Sequence, residues 1–339
     1  MAGHTTANSQ ALIRAELWSN ELKEILEDDL VAADGYVRWL SNFNDGEMLT
    51  IPTIGDLDAM DYVEDQAVTY TPLDLGEFNF TINQYKQTGT YITNKAKQDM
   101  FFMQELVSSF VPKQARAIKR HLEIDILKEG QPRTGNPAGY QVAGNANLIH
   151  GAPHRMVAGS GDNGVAGVPT LTDFARALYS LKMANVPQTN LVALVDPSFE
   201  LVMNTQTNLV NVSNNPRWEG IISTGIGQEN RFVANIYGFD VYTSNYLPRS
   251  GADQSGASET IEGRASGTNA VANLFFSAAA DVKPWIGAWR QMPKVDGEYN
   301  KDFQREEYVT TARYGVKIYR PENLVTILSN PATSTNFAE

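Results

Sequence analysis

From Thr93 to Glu129 the chain runs 37 residues without a glycine and keeps a helical pattern. Val111, Ala115, Ile118, Leu122 and Ile126 step by three or four, which makes one apolar stripe. Lys113, Arg116, Lys119 and Arg120 set a basic surface beside it. Thr93 or Asn94 suits the N-cap and Gly130 the stop. At 1.5 Å per residue a continuous helix would reach roughly 55 Å. That exceeds the core of a compact domain of this size, so the stretch predicts a rod on which an extended subunit is built. Pro112 lies inside it and predicts two helices, or one kinked there.

The segment before the rod has a different period. Leu49 to Ile54 and Val68 to Tyr70 are strand-like, with polar, acidic Gly55 to Asp65 between them. The clearest strand runs from Phe78 to Tyr85: Phe78, Phe80 and Ile82 face one way, Asn79, Thr81 and Asn83 the other. This reads as a long two-stranded hairpin with an acidic tip. Such a ribbon is marginal alone and must lie on something else. Ahead of it, Ala11 to about Ala33 looks helical, with Trp18, Leu22, Ile25, Leu26 and Leu30 at helical spacing and Gly35 ending the pattern.

Charge follows the same division. The formal net charge is −12, from 27 Lys and Arg against 39 Asp and Glu. Residues 15 to 65 hold 14 of those acids and only two bases, Lys23 and Arg38, so this window carries the whole excess. The rest of the chain is balanced, which argues against a global affinity for nucleic acid or anionic membrane. A local electrostatic partner for the acidic segment is the natural expectation.

Beyond a Gly-, Pro- and Asn-rich loop region at 130 to 169, Thr170 and Asp173 form a capping box for a helix to about Ala184. An apolar strand, Leu191 to Val195, precedes Asp196-Pro197, an N-cap and first-turn pair that starts a short helix. Phe232 to Ser244 is a strand broken at Gly238, and residues 249 to 269 read as a surface loop. Leu274 to Ala278, Tyr308 to Tyr319 and Leu324 to Leu328 are further strands. Helices interleaved with short apolar strands predict a layered α/β region.

The search for chemistry comes back empty. With no cysteine there is no disulfide framework, thiolate metal site or thiol nucleophile. Gly159 to Gly164 matches G-x-G-x-x-G, but no convincing strand precedes it and Pro169 delays the helix. His150 and His154 are separated by Gly151 and Pro153, which argues against a helix that would align them. Asp56, Asp58 and Asp61 resemble a calcium loop only faintly, because Met60 stands where an oxygen ligand belongs. Trp285, Trp289, Tyr308, Tyr314 and Tyr319 read as core or subunit anchors. No cofactor is expected. The longest nearly apolar stretch, about Val271 to Val282, is far short of the ~20 residues a membrane span needs. No secretory signal is evident, and a protein made and used in a reducing cytoplasm, or one indifferent to redox state, is expected.

Four strings, in order, carry a resemblance. Phe78-Asn-Phe-Thr-Ile-Asn83, Asn185-Val-Pro187 through Leu191 to Pro197, Gly225-Ile-Gly227 with Tyr237 to Tyr242 and Ser244-Asn245, and Tyr314-Gly315 to Pro321 resemble recurrent stretches of the major capsid proteins of tailed bacteriophages. The likeness covers about residues 45 to 328. It implies an α+β chain with the Hong Kong 97-like fold: an N-terminal arm at 1–47, an extended two-stranded loop at 48–90, and a peripheral domain with the long spine helix at 91–167 and 284–320. An axial α/β domain at 168–283 and 321–330 and a tail at 331–339 complete it.

The same resemblance implies pentamers and hexamers in an icosahedral virion shell, assembled in the host bacterial cytoplasm around double-stranded DNA that is packaged without sequence-specific binding. A separate scaffolding protein is implied, since residues before 48 leave no room for a built-in one. A portal at one vertex and a decoration or cement protein are implied partners; a membrane is not. Covalent crosslinking through a loop lysine is not expected, because residues 48 to 85 contain none. For the subunit interface, the acidic tip (Asp56, Asp58, Asp61, Glu64, Asp65) is expected over a neighbour's Lys113, Arg116, Lys119 and Arg120. Phe78, Phe80 and Ile82 are expected to supply most of the burial. An encapsulin-like compartment, or an enzyme with an unrecognised site, are the competing readings.

Overall fold

The computed structural model describes residues 32–40, 48–54, 59, 61, 64–65, 67, 75–99, 103–129, 148–149, 152–159, 167–205, 232–250 and 270–331. The helix expected at 11–33 lies outside these, apart from a short α1 (Ala32–Gly35), which leads into β1 (Val37–Leu40). β2 (Met48–Ile54) and β3 (Leu75–Thr81) pair antiparallel from Met48↔Thr81 to Ile54↔Leu75, as the hairpin reading requires.

The return strand ends at Thr81 rather than Tyr85. After Ile82 and Asn83 a new strand, β4 (Gln84–Thr93), takes the chain into a different sheet. Its Thr88, Thr90, Tyr91, Ile92 and Thr93 are β-branched or aromatic, which suits a pleated surface better than a helix. Helix α2 (Asn94–Asp99) follows, and the Thr93 hydroxyl accepts the Ala96 N–H at 3.3 Å, so Thr93 is the cap.

The rod is α3 (Met103–Glu129), 27 residues and about 40 Å long. Pro112 does not break it. The proline costs one hydrogen bond on an exposed side of the helix, whereas Ile118, Leu122, Ile126 and Leu127 are buried in the turns beyond it. That burial, about 1.5–3 kcal/mol per large side chain, outweighs the roughly 3 kcal/mol of a helical proline. The preceding α2 is described to Asp99, and residues 100–102 lie outside the described residues.

The loop region holds short strands: β5 (Leu148–Ile149), β6 (Ala152–Pro153) and β7 (Arg155–Val157). Then come α4 (Leu171–Met183), β8 (Leu191–Val195), α5 (Pro197–Thr205), β9 (Phe232–Ile236), β10 (Phe239–Thr243) and β11 (Arg249–Ser250). The chain closes with β12 (Ala270–Ser277), β13 (Trp285–Asn300), β14 (Arg305–Ile318) and β15 (Val325–Ser329). The 16-residue β13 has no counterpart in the sequence reading.

Local chemistry explains the second-half elements. Thr170 N–H donates to Asp173 Oδ2 at 2.8 Å, and Asp173 also takes the Gly159 N–H at 3.0 Å. Burial pushes the Asp173 carboxyl above its usual range, opposed by these hydrogen bonds and Arg176. α4 ends in a Schellman motif: Val186 N–H reaches Leu181 O, Asn185 N–H reaches Lys182 O, and Asn185 has φ 57°. Asp196 accepts the Ser198 N–H at 3.0 Å at the start of α5. β9 and β10 are joined by Tyr237 and Gly238, both at positive φ, as a tight right-twisting hairpin requires.

Two sheets result. The first has seven strands, in the order β7-β15-β12-β8-β10-β9 with β11 paired to β12. Its β8 is buried at every position, so it is covered on both faces. Phe174, Phe199, Phe239 and Phe275 interlock on one side, where α4 and α5 pack. Val192, Leu194, Leu274 and Phe276 face the other side and meet Leu122, Ile126 and Leu127 of α3, together with Trp285 and Tyr314. The second sheet, in the order β1-β13-β14-β4, lies along α3. The layered α/β expectation holds for the first sheet, and the rod joins the two.

Candidate subunit interface

The hairpin of β2 and β3 is fastened at its base. Phe80 and Ile82 are 0% and 4% exposed and pack on Ile286 and Ala288 of β13. Gly315 makes this approach feasible, since a Cβ there would lie 2.7 Å from the Thr81 carbonyl oxygen. Phe78 meets Tyr319 edge-on at 5.3 Å, and Lys317 Nζ donates to Asn79 O at 2.8 Å while sitting over the Phe78 ring. Phe80 and Ile82 therefore spend their apolar surface inside their own subunit and offer none to a neighbour. That corrects the expectation for these two; Phe78 stays half-exposed.

At the other end of the hairpin, Asp61, Glu64 and Asp65 are exposed, with Asp65 at φ 65°. Asp56 and Asp58 lie outside the described residues. On α3, Lys119 is exposed, while Lys113, Arg116 and Arg120 are half-buried. Among the described residues no ion pair joins Asp61, Glu64 or Asp65 to the basic residues of α3. From Gly315, β3 and the hairpin extend along β14 toward Tyr319, whereas β4 runs back from Tyr314↔Gln84 to Arg305↔Thr93.

Between β4 and the helices lies an open cavity of about 560 Å³. Consecutive residues Thr88 to Thr93 line it, with Ala96 of α2 and Lys113, Gln114 and Ala117 of α3. Hydrogen bonds hold α3 against the sheet beside it. The Thr310 hydroxyl donates to Gln114 Oε1 at 2.9 Å, and the Tyr314 hydroxyl donates to Asp125 at 2.6 Å. Burial, reinforced by that hydrogen bond and the carboxylate charge, holds the Tyr314 phenol well above its usual range. Lys86 Nζ stands 3.3 Å from the same carboxylate. Glu123, fully buried, accepts the Ala32 N–H through both oxygens at 2.8 and 2.9 Å and so ties α1 to the rod.

A third surface was absent from the sequence reading. At the turn between β13 and β14, the Arg305 guanidinium lies 4.5 Å from the Tyr91 ring and 4.7 Å from the Phe303 ring. It also donates to Glu307 at 2.6 Å, which Asn300 supports. Lys97 pairs with Glu306, and each pairing holds its glutamate below the usual carboxylate range. Phe303 is nonetheless 67% exposed. Without β13 in the reading, no signal placed these residues side by side.

Among the described residues no three metal-ligating side chains gather. His154 is buried, with its ring nitrogens 3.2 Å from Ala152 O and 3.0 Å from Glu322 O, while His150 is outside the described residues. Gly159 is the one described residue of the glycine-rich string, and its N–H serves Asp173. Among the described residues no helix is long and apolar enough to cross a membrane.

The fold is similar to the cyanophage Pam1 capsid asymmetric unit, with TM-score 0.68, 16% identity, and coverage of 98% of this chain and 100% of that one. It is also similar to the bacteriophage PhiM1 mature capsid, with TM-score 0.66, 12% identity, and coverage of 95% and 94%. For Mycobacterium phage Che8 the values are 0.63, 16%, 93% and 97%. A search of curated proteins by sequence finds no match. A family model described as phage capsid protein matches residues 77–327. With well over half its residues inside that match, the chain belongs to the phage capsid protein family.

Proposed function

We propose that the chain is the major subunit of an icosahedral phage shell with the Hong Kong 97-like arrangement, assembling as pentamers and hexamers around double-stranded DNA. The family match across residues 77–327 carries this reading, and whole-length similarity to phage capsids supports the fold. It leaves the encapsulin-like and enzyme alternatives without an observation of their own. In this reading residues 1–47 are the arm and 48–90 the extended loop. Residues 91–167 with 284–320 form the peripheral domain, 168–283 with 321–330 the axial domain, and 331–339 the tail.

The subunit has a structural role and no catalytic one. Its partners are further copies of itself, a separate scaffolding protein, a portal, and a decoration or cement protein, with assembly in the bacterial cytoplasm. The acidic tip of one subunit lies over the basic face of α3 in the next. Exposed ion pairs contribute only ~0–1 kcal/mol each, so this contact sets register and orientation more than affinity. The charge-balanced remainder suits a container, since a strongly basic lining would hold the genome. The test is electron microscopy of the protein expressed with and without a candidate scaffold. Closed shells of uniform diameter are expected; monomers or small oligomers under both conditions would refute the reading.

A further inference from the structure

On α3 the bases Lys113, Arg116, Lys119 and Arg120 are spaced 0, 3, 6 and 7. At about 100° per residue, this spacing keeps all four within about 120° of the helix circumference, as one row. Glu123 continues the row by one turn toward the C-terminus. It is fully buried and takes the Ala32 N–H on both oxygens, at 2.8 and 2.9 Å. Residues 1–31 lie outside the described residues, so the first described residue of the arm is fixed at the end of the basic row.

The arm repeats this spacing in the opposite charge. Glu21, Glu24, Glu27 and Asp28 are also spaced 0, 3, 6 and 7, in a stretch whose apolar residues have helical spacing. Each acid precedes its counterpart by 92 residues: 21 and 113, 24 and 116, 27 and 119, 28 and 120. Ala32 and Glu123 are 91 apart. The observed contact therefore sets the two segments within one residue, about 1.5 Å, of the register that pairs every acid with a base. Lys23, the one base in residues 15–31, comes level with Ala115 and meets no other base. The opposite course from Glu123, past the end of α3, meets one base, Lys128, against two acids, Asp125 and Glu129.

From this match we infer that in the free subunit residues 15–31 lie as a helix parallel to α3, with their acids on its basic row. The inference rests on the shell-subunit reading, in which that row receives a neighbour's acidic tip, and adds the regulation of the same face. The subunit's own arm and the neighbour's tip compete for it. The arm has the advantage of attachment, because a tethered ligand acts at an effective concentration on the order of millimolar. A neighbour's tip displaces it only where several subunit contacts form together, so free subunits are shielded from random pairing. The stripe of Trp18, Leu22 and Leu26 lies on the opposite side of the arm from these acids and is turned away from α3.

Amide exchange of the soluble, full-length subunit at low salt is the test. Residues 16–31 are expected to be protected, independently of dilution. The protection should be lost in the variant Glu21→Lys with Glu24→Lys and Glu27→Lys, since each reversed pair shifts docking by up to about fivefold. The same variant should form particles after a shorter lag than the wild type. Lys119→Glu with Arg120→Glu should also release the arm, and adding Glu27→Lys with Asp28→Lys should restore its protection. Protection that survives the arm variant would show that the apolar stripe holds the arm, and would overturn the inference. So would an unprotected arm in the wild type, protection that fades on dilution, or an unchanged lag. Should the α3 variants fail to fold, the arm variant decides alone, because it alters none of the described residues. Wild-type protein that never forms particles would instead remove the shell reading, while exchange in the soluble subunit would still decide where the arm lies.

Discussion

A single hydrogen atom at Gly315 lets the hairpin lie flat on the sheet. Replacing it by a methyl group would put carbon 2.7 Å from the Thr81 carbonyl oxygen and 3.0 Å from the Ile82 Cα, and both are backbone that cannot swing aside. Gly315→Ala should therefore cost about 1–3 kcal/mol in denaturant unfolding, the usual range for an overpacked site. Gly35→Ala, where nothing lies within 4 Å, should change stability by less than about 0.5 kcal/mol and serves as the control. The polar core obeys the same accounting of partners. Asn273 Nδ2 donates to Ile327 O and Ser329 Oγ while its Oδ1 accepts the Asp196 N–H, so one buried amide joins β12, β15 and the start of α5.

At the scale of elements, ends are better specified than middles. α4 stops because Asn185 adopts φ 57° and returns two N–H groups to the last turn. Asn185→Gly should leave the melting temperature nearly unchanged, whereas Asn185→Ala should cost about 1–2 kcal/mol, because alanine has no local hydrogen bond to offset left-handed backbone. The β13–β14 turn carries a pH dependence with a definite sign. Glu306 and Glu307 are held below the ordinary glutamate value of 4.5, chiefly by hydrogen bonds from Lys97 and Arg305. Their contribution is complete above that value and is lost as pH falls below it. Amide exchange in residues 299–306 should rise on acidification below pH 4.5 ahead of exchange in β8. The capping box, the Asp196-Pro197 start and strands such as Leu191–Val195 were legible in the sequence because each rests on local chemistry. β13 was not: Gly287, Pro293 and Gly297 interrupt its alternation, and its long pairing with β14 shifts register twice near the proline. Phe80 and Ile82 show the matching limit at the interface. Alternation reveals that one face of a strand is apolar, but not which molecule covers it.

At the scale of the whole molecule, the acidic excess is confined to the arm and hairpin, and the basic face of α3 lies on the opposite side of the Gly315 crossing. Reversing charge at Asp58, Asp61 and Asp65 together should suppress particles in electron micrographs while leaving circular dichroism and the unfolding midpoint of the monomer unchanged. Intact particles from that variant would show that the acidic tip is solvated and not in register with a neighbour. The two sheets share one apolar cluster, in which Leu122, Ile126 and Leu127 of α3 meet Trp285 and Tyr314 on one side and Leu194 and Phe276 on the other. Mechanically, that cluster is a fulcrum. Phe80 and Gly315 fasten the hairpin to the four-stranded sheet, and the end of the rod fastens that sheet to the seven-stranded one, so a load on the hairpin's base has a continuous packed route to both.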